Sequence, residues 1–365
     1  MKNIPLSRHF SGTYIEAKHK FQEAATRCGA WLQTHVLPGY QGKFGESLSI
    51  DVAYLGKRGA SKLMIVSSGT HGPEGFCGSG CQVAALSDAD LTERLERSGT
   101  GMLMIHALNP YGFSHLQRTN QDNVDLNRNH VDFESRLPDN PSYQELDRLL
   151  LPENWPPTPA DDRALDAYVA THGADGYKKA LMSGQHSVPD GIYFGGSFPT
   201  WNNDILRAVL RQHASNATHL GWIDVHSGLG PWGHGEKIYG GRNITEELAL
   251  TRLWWGADVF SPYEEQSKAP EASGTVLSTV YAECPVATAA VVGLEFGTLP
   301  EPEMIYRLRA SHWLLKHPDA STELRSEIKE ALREAFYCDD NGWRGMVWGQ
   351  TRVTMLQALV GLSRI

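Results

Sequence analysis

The 365-residue sequence predicts an α/β fold with a mixed, mostly parallel central sheet flanked by helices on both faces. Two observations support this prediction. Short apolar runs bounded by glycine recur along the chain, as is typical of strands buried on both faces. Segments with helical periodicity separate these runs. The hydrophobic content of 41% is enough for a sizeable core, so we expect one large domain over residues 1–365.

The first third of the chain supplies five predicted elements. Apolar and aromatic residues at helical spacing predict a helix over residues 14–36, ending before Pro38. Residues 47–56 alternate between apolar and polar side chains, and an apolar run begins at residue 62, so two adjacent strands are expected. A helix at about residues 76–86 and a strand at residues 102–108 follow.

The remaining elements continue the alternation of strands and helices. Strands are predicted at residues 221–227 and 286–296, with the helical segment ITEELALTRLWWGADV between them. Residues 132–200 are rich in glycine and proline and have little periodicity, which predicts a loop-rich insertion that frames a pocket. A helical C-terminal extension is expected over residues 302–365.

Composition and charge exclude several classes of function. The chain has 33 basic and 42 acidic residues, a net charge of −9, and no dense basic run, so no nucleic-acid partner is expected. The sequence contains no stretch of about 18 consecutive apolar residues, so no membrane partner is expected. The first residues lack the apolar core of a signal peptide and the five cysteines are scattered, so we expect a cytoplasmic protein. The oligomeric state is not predictable from these features.

The first candidate site is SSGTHGPEG, which follows an apolar strand. His71 and Glu74 stand three residues apart in a loop rich in glycine and proline. Strand ends in α/β sheets are common ligand sites, and an imidazole with a carboxylate suits Zn²⁺. The alternative is an ordinary surface pair.

A second histidine stands near the end of another apolar strand, in WIDVHSG. His226 is a plausible third ligand for a zinc site of two histidines and one glutamate. The alternative is a core histidine that donates to a backbone carbonyl. Asp224 would point to the same side of the strand as His226, either as its hydrogen-bond partner or as a cap.

Two further segments carry charged residues close to strand ends. NPYGFSHLQRTNQDNVDLNRNH contains Arg118 and Arg128, each able to bind a carboxylate through two parallel hydrogen bonds, although a salt-bridged surface loop is the alternative. In GLEFGT, Glu295 interrupts a buried strand just before its end. A buried carboxylate is costly unless it is paired or coordinated, which favours a functional role over a structural salt bridge.

These four segments, in this order, resemble the motifs of the zinc carboxypeptidase superfamily, the carboxypeptidase A-like metallopeptidases. The shared patterns are H-x-x-E after a strand, N-P-x-G with R-x-N and V-D-L-N-R-N, D-x-H-S, and a strand-end glutamate. They cover about residues 62–298. The motifs T-H-G-x-E-G and E-F-G-T are similar to those of an uncharacterised bacterial branch of that superfamily.

The resemblance implies one zinc ion, held by His71, Glu74 and His226. It makes Glu295 the general base and acid of an amide hydrolysis, and Arg118 the group that stabilises the developing oxyanion.

The same resemblance also implies which residues bind the carboxylate end of the substrate. Asn127 and Arg128 match the pair that holds a terminal carboxylate, and Asp125 matches the carboxylate that orients the first histidine ligand. The sequence departs from the superfamily at Gly228, where peptide-cleaving members usually carry an aromatic residue after His-Ser. No tyrosine can be matched to the superfamily's mobile active-site tyrosine.

Three functions remain open at this level. The first is a zinc metallocarboxypeptidase acting on peptides with a free carboxylate. The second is an N-acyl amino acid deacylase of the aspartoacylase type, although those enzymes add a C-terminal β-domain where this chain looks helical. The third, a binding protein whose catalytic site has decayed, is disfavoured by the presence of Glu295.

Overall fold

A single eight-stranded sheet forms the centre of the computed structural model, which describes residues 5–264 and 271–364. Its strands are Trp31–Gln41 (β1), Ser47–Leu55 (β2), Lys62–Ser68 (β3), Gly101–His106 (β4), His219–Trp232 (β5), Gly235–Tyr239 (β6), Val259–Phe260 (β7) and Thr288–Gly297 (β8). The spatial order is β1-β2-β4-β3-β5-β8-β6-β7. Strands β4, β3, β5 and β8 are parallel to one another. Strands β1 and β2 pair antiparallel with their neighbours, and β6 is antiparallel to β8 but parallel to β7.

Helices cover both faces of this sheet. Within the described residues, the α-helices are Tyr14–Arg27 (α1), Gly75–Leu86 (α2), Ala89–Ser98 (α3), Pro110–His115 (α4), Pro141–Leu150 (α5), Pro159–Met182 (α6), Trp201–His213 (α7), Thr245–Trp255 (α8), Thr279–Glu283 (α9), Glu301–Lys316 (α10), Thr322–Phe336 (α11) and Asn341–Ser363 (α12). Short 3-10 turns occur at Leu6–His9, Leu126–Arg128 and Val276–Ser278. The predicted α/β class, with a mixed sheet and helices on both faces, is confirmed. None of the helices in this part of the chain is both long and apolar enough to cross a membrane.

The alternation of side chains along the strands divides the core in two. In β3, Met64 and Val66 pack with α1, α2, α8 and α12 on one face. Leu63 and Ile65 point the other way and pack with α7 and α9. A third cluster, which we call the third core, lies apart from these two and is built mainly by α5, α6, α10 and α11.

The N-terminal helix is shorter than predicted. Helix α1 ends at Arg27, and Gly29 turns the chain with φ of 74°. Residues 31–36, which were expected to continue the helix, form the edge strand β1 and pair with β2 from Trp31↔Tyr54 to Val36↔Ser49. Aromatic and β-branched residues favour a strand once a partner strand is available, and this pairing outweighs the local helical spacing.

Strands β2 and β3 are not neighbours, contrary to the prediction of two adjacent strands. Strand β4 lies between them, parallel to β3 and antiparallel to β2. The connection from β3 to β4 through α2 and α3 is a parallel crossover, and such a crossover commonly places the next strand beside the first.

The insertion over residues 132–200 is less loop-rich than predicted, because it contains α5 and α6. Helix α6 begins with a capping box in which Thr158 and Asp161 exchange side-chain and backbone hydrogen bonds. It is interrupted at Gly173, where φ is 74°, and this break hides its periodicity in the sequence. The helices expected after residue 302 are present as α10, α11 and α12, and Trp343 of α12 is fully buried in the core.

Candidate metal centre

Three side chains that could bind one metal ion meet at the carboxyl ends of β3 and β5. His71 Nδ1 lies 2.8 Å from Glu74 Oε1, and His226 Nδ1 lies 2.8 Å from Glu74 Oε2. One potential ligand atom from each residue falls within 4.8 Å of the other two, and all three residues are buried. The structure therefore brings together the three residues that the sequence singled out as metal ligands.

The loop that carries His71 and Glu74 depends on two glycines. Gly69 has φ of 65°, a left-handed conformation that side chains disfavour. A Cβ atom at Gly72 would lie 2.1 Å from the carbonyl carbon of Gly112, so only glycine fits. This close approach lets Gly72 N–H donate to the carbonyl of Arg118 at 3.2 Å, which joins the two loops of the site.

The Nε2 atom of each histidine contacts a second carboxylate. His71 Nε2 lies 3.1 Å from Asp125 Oδ1, and His226 Nε2 lies 2.6 Å from Asp224 Oδ2. Asp224 in turn accepts hydrogen bonds from the hydroxyls of Ser67 and Thr70. Carboxylates in this position fix the ring orientation of histidine ligands in metal sites.

Arg118 connects the candidate ligands to their surroundings. Its Nε donates to Asp125 Oδ2 and its Nη1 to Glu74 Oε1, both at 3.2 Å. The side chain of Asn109 donates to the Arg118 carbonyl, so the backbone is held as well. The guanidinium therefore has a fixed position in a cavity that the three candidate ligands also line, as expected for a group that would stabilise an oxyanion.

Glu295 lies beside His226 on the adjacent parallel strand. The two residues are direct register partners in the β5–β8 pair. Glu295 Oε1 accepts a hydrogen bond from the Leu229 N–H at 3.1 Å. Burial, and then the negative charge of Glu74, raise the pKa of Glu295 to about 7. A carboxyl group with a pKa in this range is suited to accept and return a proton.

Arg128 and Asn127 line the same cavity on the 3-10 turn after Asp125. The Asn127 Oδ1 accepts from the Val276 N–H, which leaves the amide Nδ2 as the donor for a ligand. Within the part of the chain that the structure describes, the hydrogen bonds of the Arg128 guanidinium go to two backbone carbonyls, those of Asn127 and Met182. Arg128 is 7% exposed, and this burial lowers the pKa of its guanidinium.

Tyr193 is a cavity residue that the sequence analysis did not identify. The guanidinium carbons of Arg118 and Arg128 lie 4.9 and 5.2 Å from the centre of its ring. Its φ of 55° is unusual for a residue with a large side chain. Tyr193 lies in the insertion, where no local pattern marks it as a site residue.

The donor set fits zinc. Two imidazole nitrogens and one carboxylate are the protein ligands of many catalytic zinc sites, and both imidazoles already have a carboxylate at their other nitrogen. Asp125, Asp224 and Glu74 supply negative charge to offset a divalent cation. His71, Glu74 and His226 would hold the ion at the bottom of the cavity.

Comparison with known proteins assigns the family. A family model described as a protein of unknown function, DUF2817, matches residues 10–350. The chain belongs to the DUF2817 family. The description of the DUF2817 family does not name an activity. A search of curated proteins found no match.

Solved structures similar to this DUF2817 member include several carboxypeptidases. Carboxypeptidase A from Helicoverpa armigera is 14% identical, with 88% of this chain and 73% of that chain covered and a TM-score of 0.42. The metallo-carboxypeptidase from Pseudomonas aeruginosa, in complex with (2-guanidinoethylmercapto)succinic acid, is 13% identical, with 95% and 69% covered and a TM-score of 0.46. Thrombin activatable fibrinolysis inhibitor is 10% identical, with 92% and 76% covered and a TM-score of 0.46.

Proposed function

We propose that this protein is a zinc-dependent hydrolase that cleaves an amide bond next to a free carboxylate, acting as a metallocarboxypeptidase. The observation that carries the proposal is Arg128. Among the described residues, no carboxylate forms an ion pair with its buried guanidinium, whereas Arg118 pairs with two. A buried cation without an anionic partner is costly, and a substrate carboxylate beside the metal ligands would supply that partner.

The chain's own residues account for each part of the reaction. Arg128 and Asn127 hold the carboxylate, and Arg118 donates to the carbonyl oxygen as negative charge develops on it. A bound zinc ion would polarise this carbonyl and make water more acidic. Glu295 takes a proton from the attacking water and delivers it to the leaving amine, and a pKa near 7 suits both steps.

An N-acyl amino acid deacylase is a second candidate within the same chemistry. Such an enzyme would use the same metal ligands, base and carboxylate site, and it would differ only in what the cavity accepts on the acyl side. A binding protein without catalysis is the third candidate, and Glu295 argues against it because binding alone does not need a buried carboxyl group beside the metal ligands.

The proposal is tested by loading the purified protein with one equivalent of zinc and measuring the release of amino acid. The substrates are dipeptides and N-acyl amino acids, each as the free acid and as the C-terminal amide. We expect hydrolysis of free acids, a much lower rate on amides, and loss of activity after chelation. Zinc-loaded protein that hydrolyses none of the free acids would contradict the proposal.

A further inference from the structure

Tyr193, in the insertion, contacts both arginines of the site. The Cζ atoms of Arg118 and Arg128 lie 4.9 and 5.2 Å from the centre of its ring, within the range of a cation–π contact. The side chain is 3% exposed and lines the cavity. Its hydroxyl forms no hydrogen bond with any residue that the structure describes. The ring therefore supplies the contacts of this side chain with the two arginines.

The two arginines differ in their other restraints. Arg118 forms ion pairs with Glu74 and Asp125, so two carboxylates hold it independently of the ring. Within the described ranges, Arg128 has no ion pair and its guanidinium donates to two backbone carbonyls. Tyr193 is thus a side-chain contact of a cation that lacks a carboxylate, and removal of the ring would free Arg128 more than Arg118.

The charges at this point favour a neutral ring over a carboxylate. Burial lowers the pKa of Arg128, and of the charges around it Asp125 raises the pKa whereas Arg118 lowers it, so the two guanidinium groups repel each other. Burial raises the pKa of the Tyr193 phenol, which therefore stays neutral near pH 7. A ring face attracts a guanidinium without using its N–H donors, whereas a carboxylate would occupy them.

The backbone fixes the ring relative to the turn that carries Arg128. Tyr193 has φ of 55°, and the carbonyl of the next residue, Phe194, accepts from the Asp125 N–H at 2.7 Å. Asp125 directly precedes the 3-10 turn that ends at Arg128. A Cβ atom at Gly184 would lie 2.5 Å from the Arg128 Cδ, so only glycine leaves room there for the arginine side chain.

We propose that Tyr193 is a positioning residue of the carboxylate subsite formed by Asn127 and Arg128: its ring holds the Arg128 guanidinium by a cation–π contact and leaves the N–H donors to the substrate carboxylate. This inference rests on the proposed function. The effect of Tyr193 passes through Arg128, which binds the carboxylate before and during the reaction. Loss of the ring should therefore appear mainly in KM, and only for substrates with a free carboxylate.

Substitutions at Tyr193 separate the ring from the hydroxyl. The substrates are benzoyl-glycyl derivatives of leucine, phenylalanine, aspartate and lysine, each as the free acid and as the C-terminal amide, with zinc-loaded protein. Tyr193→Leu should raise KM for free acids by at least about tenfold, with kcat and the rates on amides within about threefold of wild type. Tyr193→Phe keeps the ring and should stay within about threefold on all substrates. A Tyr193→Phe variant as impaired as Tyr193→Leu, or an equal loss on acids and amides, would overturn the inference.

Tyr168→Leu is the matched control for loss of a buried tyrosine ring. Tyr168 is 6% exposed on α6, belongs to the same third core, and stacks on His172 with ring centres 4.2 Å apart. Zinc content and KM should match the wild type. If this variant raised KM as much as Tyr193→Leu, the effect would come from a weakened third core, and the inference would be wrong.

A graded series tests the cation–π contact with the fold preserved. Mono-, di- and trifluorinated phenylalanine at position 193 progressively weaken the negative potential of the ring face at nearly constant size. KM for the free acids should rise stepwise along the series, while the rates on the amides stay constant. A flat series would show that the ring acts only as a filler of space, contrary to the proposal.

Combination with Arg128→Ala shows whether the effect passes through that arginine. Tyr193→Leu should add little to the loss that Arg128→Ala causes on a free acid, because both changes act on the same contact. Penalties that multiply would overturn the inference. Wild type that hydrolyses the free acids beside an equally active Tyr193→Leu would overturn this inference alone, whereas zinc-loaded wild type that hydrolyses none of them would contradict the proposed function and the inference together.

Discussion

Glu74 shows how the candidate centre accommodates a buried charge. It is 2% exposed, and its carboxylate contacts both histidines and Arg118. Burial by itself would raise the pKa of Glu74, but the positive charges and hydrogen bonds of His71 and His226 outweigh burial and lower it. Removing these partners would leave a buried carboxylate uncompensated, at a cost of several kcal/mol.

Single residues at the site were predictable where a short motif places them at a strand end. His71, Glu74, His226 and Glu295 follow this rule, because parallel strands bring their carboxyl ends to one edge of the sheet. Met304 and Tyr193 were not predictable. They reach the cavity from segments remote in sequence, and a buried methionine or tyrosine has the same local pattern whether it lines a cavity or fills a core.

The role of Glu295 can be tested with a conservative substitution. Glu295→Gln keeps the shape and the hydrogen bond from the Leu229 N–H but removes the proton acceptor. Zinc content and fold should be retained, and kcat should fall by at least about two orders of magnitude. Steady-state kinetics on a free-acid substrate measures this. Glu246→Gln, on the exposed surface of α8, is the control and should match the wild type. Turnover within a few-fold of wild type would remove Glu295 from the mechanism.

At the scale of elements, the sequence predicted buried strands well and edge elements poorly. Strands β3, β4, β5 and β8 are short apolar runs, and few structures other than a buried strand fit such a run. Each was expected close to its observed position. The local spacing of β1 predicts a helix, because the strand depends on pairing with β2, a contact that local spacing does not contain. Helix α6 escapes sequence-based prediction for a local reason, because its break at Gly173 divides the helical pattern.

The loop between β3 and α2 should not tolerate a side chain at Gly72. In Gly72→Ala the new methyl group would collide with the backbone at Gly112, so the loop and the α4 segment must move apart. We expect the free energy of unfolding to fall by at least about 2 kcal/mol and zinc affinity to weaken. Chemical denaturation and zinc titration measure the two effects.

Gly345→Ala is the matched control for this substitution. Gly345 lies within α12, and a Cβ there meets nothing within 4 Å. Alanine should stabilise the protein slightly, by at most about 1 kcal/mol. Equal stability of the two variants would mean that the loops are not in the close contact described here.

At the scale of the whole molecule, the site joins segments from most of the chain. The sheet and the loop after β3 supply the candidate metal ligands and the base, while the third core closes one side of the cavity. The sequence motifs indicated the first part but not the second, because the packing of α10 and α11 against the insertion is a long-range arrangement. The C-terminal helices are therefore part of the core and of the cavity wall.

Zinc should stabilise the whole molecule if the three ligands hold it. At a free zinc concentration about a thousandfold above Kd, the native state gains about 4 kcal/mol, which for a chain of this size raises Tm by about 5 °C. Calorimetry with and without chelator measures the shift. His226→Ala should lose both the stoichiometric zinc and the shift. His219→Ala, at the start of the same strand, should retain both. A His226→Ala variant that still binds one equivalent would disprove the ligand assignment.

In the proposed reaction, Arg128 binds the carboxylate of the substrate next to the metal ligands. The most direct measurement is a double-change cycle in which wild type and Arg128→Ala act on one substrate as the free acid and as the C-terminal amide, at constant pH and zinc. Amidation should cost the wild type about a hundredfold in kcat/KM, or about 2.7 kcal/mol. Arg128→Ala should lose activity on the free acid and show little further loss on the amide, because both changes delete the same contact. If the two penalties simply multiply, Arg128 does not bind the carboxylate, and the protein is not the carboxylate-requiring hydrolase proposed here.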